Sequence, residues 1–153
     1  MTSTTTDDPP IGKEYPPLTY QVGREKIREY ARAVGETDPL HLDLAAARAA
    51  GHADLVAPPM FVVVYTSDAI GAAFFDPEVA IDFARLVHGA QEFRWSRPLI
   101  AGEEVATVVR LDDVQEIATA GLTSYVFTHE TTVGGGEVVS TGRWTNHVRG
   151  AGA

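Results

Sequence analysis

The chain has 153 residues, enough for one domain with one core, and its 12 Lys and Arg against 21 Asp and Glu give a formal net charge of −9. At 44% hydrophobic and 22% charged it has an ordinary globular composition, and the acidic balance argues against broad nucleic-acid binding or adhesion to an anionic membrane. With no cysteine, disulfides, thiolate nucleophiles and cysteine-based zinc sites are excluded together.

Residues 1–10 carry neither the positive region nor the apolar stretch of a secretory signal. They read as a disordered leader, with the domain over 11–150 and a cytoplasmic location. The stretch from Arg24 to Val34 predicts a helix whose apolar stripe is Ile27, Tyr30, Ala31 and Val34, closed by Gly35 in a left-handed C-cap. A polar loop from Gly35 to His41 follows. Asp43 then caps a short alanine-rich helix that stops at Gly51.

Pro58 and Pro59 end the preceding segment and pre-set the first turn of the next helix. Met60 to Phe75 is long enough for four turns but too short to span a bilayer, and it is interrupted by Ser67 and Asp68. Val62, Val63 and Val64 leave a strand reading open there, while the length favours a helix buried on most sides. The period then changes. Glu92 to Arg97 alternates polar and aromatic residues, and segments near 103–117, 121–133 and 137–148 are rich in Val, Thr, Tyr, Phe and Trp. Gly134, Gly135 and Gly136 mark a hairpin between the last two. The class is α+β: an antiparallel sheet of four or five strands whose apolar face is covered by the one largely apolar helix. A sheet wrapped around one long helix is the hot-dog architecture.

The stretch richest in chemistry is Gly35-Glu36-Thr37-Asp38-Pro39-Leu40-His41. Two carboxylates precede a histidine in a loop where Pro39 prevents a continuous helix. Such a bend turns a carboxylate and an imidazole toward one small volume, where the acid can act as base toward water and the imidazole can orient or share the proton. The competing reading is an ordinary loop between helices, with His41 merely capping or packing.

This segment resembles the hydratase motif of MaoC-like hot-dog proteins, the (R)-specific enoyl-CoA hydratases and 3-hydroxyacyl-thioester dehydratases, written Gly-Asp-x-Asn-Pro-x-His. The likeness runs over residues 12–148. The run from Tyr20 to Ala31 is similar to the family's first helix. Leu55-Val-Ala-Pro-Pro-Met-Phe61 is similar to the entry of the central helix in the N-terminal, fungal-fatty-acid-synthase-like branch. His88 to Leu99, followed by Ala101-Gly-Glu103, resembles that branch's first long strand and the turn after it.

The resemblance implies that Glu36 and His41 are catalytic and that Asp38, at the Asn position, supports the loop. The pair would activate water for addition across a trans-2-enoyl thioester, giving the (R)-3-hydroxyacyl form, or for the reverse elimination. A backbone N–H at the start of the central helix would polarise the thioester oxygen. No metal or redox cofactor is implied. Three positions depart from the family pattern. Glu36 is one methylene longer than Asp, Asp38 adds a charge where Asn is neutral, and Pro58-Pro59 has no N–H where many members have His-Gly. Met60 then becomes the candidate oxyanion donor.

Pro59, Phe61, His88 and Arg94 are the expected substrate contacts. Met60, Phe61, Tyr65, Phe74 and Phe75 could line an acyl tunnel, but most of them are expected in the core, because this helix must fill the sheet's interior. Arg94, Arg97 and Arg143 suit coenzyme A phosphates, against the alternative of a solvated strand face. His52 could line the site mouth or lie on a surface loop. His129 and His147 flank the triple glycine without facing each other, because partners about Gly135 sum to about 270, so they do not form a zinc pair. Trp95 and Trp144 read as core or interface anchors.

The expected function is (R)-specific hydration of trans-2-enoyl thioesters, or dehydration of the 3-hydroxy form, in fatty-acid metabolism. The thioester would be carried by coenzyme A or acyl carrier protein. A homodimer, or a heterodimer with a second hot-dog chain, is implied by the family. The alternatives are a catalytically silent acyl-binding subunit of a heterodimeric dehydratase and a thioesterase on the same fold.

Overall fold

Glycines, prolines and short capping side chains set the element ends in the computed structural model, which describes residues 8–150. The first helix, α1 (Arg24–Val34), buries Ile27 and Ala31 and stops where Gly35 turns left-handed at φ 76°. Its buried stripe is shorter than predicted: Tyr30 is half-buried, and Val34 in the last turn is 55% exposed. A short strand, β1 (Leu18–Gln21), precedes it and was not predicted. Tyr20 and Gln21 are therefore extended rather than the start of the first helix, and four residues are too few for alternation to be legible.

The predicted polar loop contains one helical turn, α2 (Pro39–Leu42). Pro39 suits its first position, and the Asp38 carboxylate caps it by accepting from Leu40 N–H at 2.9 Å. Asp43 caps the next helix, α3 (Leu44–Ala49), as predicted, accepting from the amides of Ala45 and Ala46. The four-turn helix expected from Met60 to Phe75 is present but broken. It consists of a 3-10 turn (Pro59–Phe61), α4 (Val62–Tyr65) and α5 (Ser67–Phe74). The break falls at Thr66, a buried residue whose Oγ1 donates back to the Val62 carbonyl at 2.6 Å and so competes with the helical bond.

Four long strands complete the chain: β2 (Leu86–Trp95), β3 (Glu104–Ile117), β4 (Leu122–Val133) and β5 (Glu137–Arg149). With β1 they form one antiparallel sheet in the order β1-β3-β4-β5-β2. β2 begins before the alternating stretch that predicted it and ends at Trp95. The triple glycine turns the β4–β5 hairpin with positive φ at all three residues, which any side chain would oppose. Val133 faces Glu137 and His129 faces Gly142, so His129 and His147 are apart, as the register arithmetic predicts.

Because paired residues share a face, Phe93, Gly142, His129 and Val109 lie on the helix side of the sheet, while Arg94, Thr141, Glu130 and Val108 lie on the other. The helix side carries two core clusters. Phe61, Val62 and Tyr65 pack with Val105, Val139 and Leu99, and Ala69, Ile70 and Ala73 pack with Val109, Leu111 and Phe127. This is the hot-dog architecture, a sheet curled around a central helix. Its first half packs on Val105 of β3, Val139 of β5 and Leu99 after β2, and the candidate site lies beside it.

Of the expected leader, residues 1–7 lie outside the described residues. From Pro9 onward the chain is tied down: Ile11 and Lys13 donate to the carbonyls of Pro9 and Pro10, and the Gly12 N–H reaches the Leu111 carbonyl at 2.7 Å. Nearby, Asp76 accepts from the Tyr15 hydroxyl at 2.7 Å and pairs with Lys13 at 2.7 Å, pinning this segment to the end of the central helix. Burial works against the Asp76 charge, but these partners outweigh it and hold the carboxyl below its ordinary range. Among the described residues no helix is long and apolar enough to cross a membrane.

Candidate active site

One stretch of extended backbone, residues 55–57, organises the site. The Val56 N–H donates to the Leu40 carbonyl at 3.0 Å, and the Val56 carbonyl lies 2.7 Å from His41 Nδ1. A carbonyl can only accept, so Nδ1 carries a proton, and Nε2 is the ring nitrogen left with a lone pair whenever the imidazole is neutral. Ala57 N–H donates to Leu99 and Ala101 N–H to Leu55, which joins the same stretch to the β2–β3 turn. His41 is buried at 8% exposure, and its own amide donates to the Asp38 carbonyl at 3.1 Å. The α2 turn capped by Asp38 and the Val56 clamp therefore fix the imidazole from two sides.

His41 opens on a pocket of about 430 Å³, with Val56, Ala57 and Pro59 beside it and residues 95–98 opposite. The far wall is held by Arg97. Its guanidinium donates to both oxygens of Glu137, at 2.8 and 3.1 Å, and to both oxygens of Glu103, at 2.8 and 3.1 Å. Glu103 also accepts the Ile100 N–H at 2.7 Å. Hydrogen bonds from Arg97 to Glu137 and then Glu103 push the guanidinium pKa further up, while the same contact holds the Glu137 carboxyl below its ordinary range. What this corner offers chemically is an imidazole tied back through Nδ1, beside an apolar cleft and a helix start.

The sequence-derived candidates divide. His41 and Pro59 line the pocket. Asp38 supports the loop from its capping position. Met60 is 44% exposed and supplies the first amide of the 3-10 turn, since Pro58 and Pro59 have none and the Phe61 N–H is taken by the Pro58 carbonyl. Glu36 is exposed, sits between Gly35 and the α2 cap, and is not among the pocket's lining residues.

Phe61 is fully buried, its ring edge-on to Tyr30 at 5.5 Å and to Tyr20 at 6.3 Å, so it packs in the core and does not line the pocket. Strand alternation puts Arg94 on the sheet face away from the helix, beside Glu92 and Arg110 in a separate groove. His88 stands at the opposite end of β2 from Trp95, its ring 6.4 Å from Trp144, and lines no part of the His41 pocket. The phosphate reading of Arg97 and Arg143 also fails: Arg97 is saturated by two carboxylates, and Arg143 pairs with Asp112 at 2.8 Å. His52 is half-buried and lies outside the pocket.

Sequence reasoning missed the Val56 carbonyl, which no side-chain pattern can reveal, and the wall role of Trp95 and Arg97. The Arg97 partners lie 6 and 40 positions away, beyond any local motif. Among the described residues no three His, Asp or Glu side chains are grouped as metal ligands.

Comparison with known proteins bears on this geometry. A model of the FAS1-like, dehydratase domain region matches residues 10–141. A curated relative from Saccharopolyspora erythraea, named only UPF0336 protein, is 46% identical over 141 residues, covering 92% of this chain and 89% of that protein. A solved MaoC-like dehydratase superposes with a TM-score of 0.79 at 33% identity. The match covers 92% of this chain but spans only 42% of that structure's chain. The HadBC (3R-hydroxyacyl-ACP dehydratase) complex of Mycobacterium tuberculosis superposes with a TM-score of 0.75 at 29% identity, covering 90% of this chain and 96% of that one.

Proposed function

We infer the function from this premise: the chain belongs to the FAS1-like dehydratase domain family of MaoC-like hot-dog proteins. The reading best supported by the geometry is a hydro-lyase site that adds water to trans-2-enoyl thioesters, or removes it from (R)-3-hydroxyacyl thioesters. The observation that carries it is the His41 tautomer. With Nδ1 donating to the Val56 carbonyl, Nε2 of the neutral ring is an acceptor, and the residue lines an apolar pocket. In the proposed step Nε2 accepts a hydrogen bond from water, the water oxygen bonds to C3, and its proton is delivered to C2. Glu36 is assigned the proton transfer, from a loop whose two ends are fixed by the Gly35 and Asp38 caps. Met60 N–H is assigned the thioester oxygen, where negative charge develops.

A second reading is favoured by the exposed position of Glu36 and by the two-subunit HadBC relative. In it this chain shapes the acyl site while a second hot-dog chain supplies the chemistry. In either reading the partner is assigned to β2, the longer of the sheet's two edge strands, where outer backbone groups can pair.

Incubating the purified chain with trans-2-butenoyl pantetheine tests the first reading, because pantetheine is common to coenzyme A and acyl carrier protein. The expected product is the (R)-3-hydroxybutanoyl thioester with no free thiol. Thiol release would instead identify a thioesterase. Turnover that requires a co-expressed second hot-dog chain, and survives Glu36→Gln here, would identify the silent subunit.

A further inference from the structure

A second cavity, of only about 10 Å³, shares Pro59, Trp95 and Pro98 with the His41 pocket and is also lined by Tyr65 and Leu99. That is room for no more than about one water molecule. Tyr65 is the buried aromatic in its lining. Its side chain is 6% exposed, and its hydroxyl donates to Ser140 Oγ at 2.8 Å. Its ring is backed by Phe61 at 6.3 Å. Burial pushes the phenol pKa up despite the opposing Ser140 bond, so the hydroxyl stays protonated and donating through the neutral range.

The sheet under Tyr65 is lined with hydroxyls instead of hydrocarbon. By register Ser140 faces Thr131, and Thr131 faces Thr107, so the three share one row across β5, β4 and β3 on the helix side. All are fully buried, and Thr107 and Thr131 bond each other at 2.9 Å. An alkyl tail advancing along this row would displace Tyr65, break its bond to Ser140 and leave a buried hydroxyl against hydrocarbon. Both consequences are unfavourable.

We propose that Tyr65, held by Ser140, sets acyl length at this site, and that the site takes short-chain acyl thioesters in preference to medium- or long-chain ones. This rests on the reading of the His41 pocket as a thioester site. It makes Tyr65 a specificity residue without a part in the bond-making step.

Calorimetric binding of butanoyl- and decanoyl-pantetheine thioesters tests it. Both acyl groups are saturated, so no hydration competes with binding. The unmodified chain is expected to bind the butanoyl ester at least about tenfold more tightly than the decanoyl ester. Tyr65→Ala is expected to shift that ratio toward decanoyl by about tenfold. Ser140→Ala, which frees the phenol to swing while keeping the ring, shifts it in the same direction by less and serves if Tyr65→Ala fails to fold. Equal binding of the two esters by the unmodified chain overturns the length limit. An unchanged ratio in the folded variants overturns the role of Tyr65. Binding of neither ester overturns the thioester reading itself.

Discussion

Two histidines in this chain are both buried and both held by one ring nitrogen, yet Nδ1 plays opposite parts in them. His41 donates from Nδ1 to the Val56 carbonyl, which leaves Nε2 as the acceptor of the neutral ring, and the residue borders a pocket of about 430 Å³. His129 accepts at Nδ1 from the Trp144 indole N–H at 3.2 Å, so its proton sits on Nε2, which has no hydrogen-bond partner among the described residues. The His129 ring is 3% exposed and lies over Gly142, between Phe93 and Trp144. Burial pushes its pKa down to about 4, leaving it neutral. Burial alone therefore does not decide a histidine's chemistry. A backbone acceptor behind the ring suits His41 to orient water in the proposed step, whereas an indole donor and close packing make His129 a structural residue.

The largest effect that would sharpen this contrast lies on the His129 side. A Cβ at Gly142 would stand 2.3 Å from His129 Cε1 and 2.7 Å from Phe93 Cδ1. Gly142→Ala should therefore cost about 3 kcal/mol of stability through overpacking, read by urea denaturation. A loss under about 0.5 kcal/mol would show that the ring is loosely held.

Next comes pH. Because the folded state holds His129 below its ordinary pKa, the unfolded chain takes up the proton first as pH falls. Stability attributable to this group is complete above about pH 6.5, declines between there and about pH 4, and is flat below. The full extent is on the order of 2–3 kcal/mol. His129→Gln should flatten that part of the stability profile, and an unchanged slope would break the assignment.

How much of this was legible beforehand differs from element to element. α1, the Asp43 cap and the β4–β5 hairpin were legible because local rules specify each of them: an apolar stripe, a short acceptor side chain, a run of glycines. β1 was not, since its place in the sheet comes from pairing with residues 104–107, far along the chain. Nor was the break at Thr66, where a hydroxyl that reads as an ordinary helix residue turns back on the Val62 carbonyl. At the site, His41 was visible from its spacing after Glu36 and Pro39, and Pro59 from its place ahead of the central helix. The position of Glu36 outside the pocket, the saturation of Arg97 and the core role of Phe61 depend on contacts between distant segments, which no spacing encodes.

A smaller effect concerns the scaffold under His41. Asp38→Ala removes the α2 cap and should cost about 1 kcal/mol. Because the His41 amide hangs from the Asp38 carbonyl, turnover should fall with it, and Asp38→Asn, which keeps a capping oxygen, should restore most of both. Equal loss in the two variants would mean that the charge, not the cap, matters.

The most direct measurement puts His41→Ala beside His129→Ala, recording hydration of trans-2-butenoyl pantetheine and thermal stability for each. His41→Ala is expected to lose about 10²–10⁴-fold in rate with little change in melting temperature. His129→Ala is expected to melt lower, with turnover per folded molecule preserved. Full activity in folded His41→Ala, or loss of turnover confined to His129→Ala, would overturn the assignment of His41.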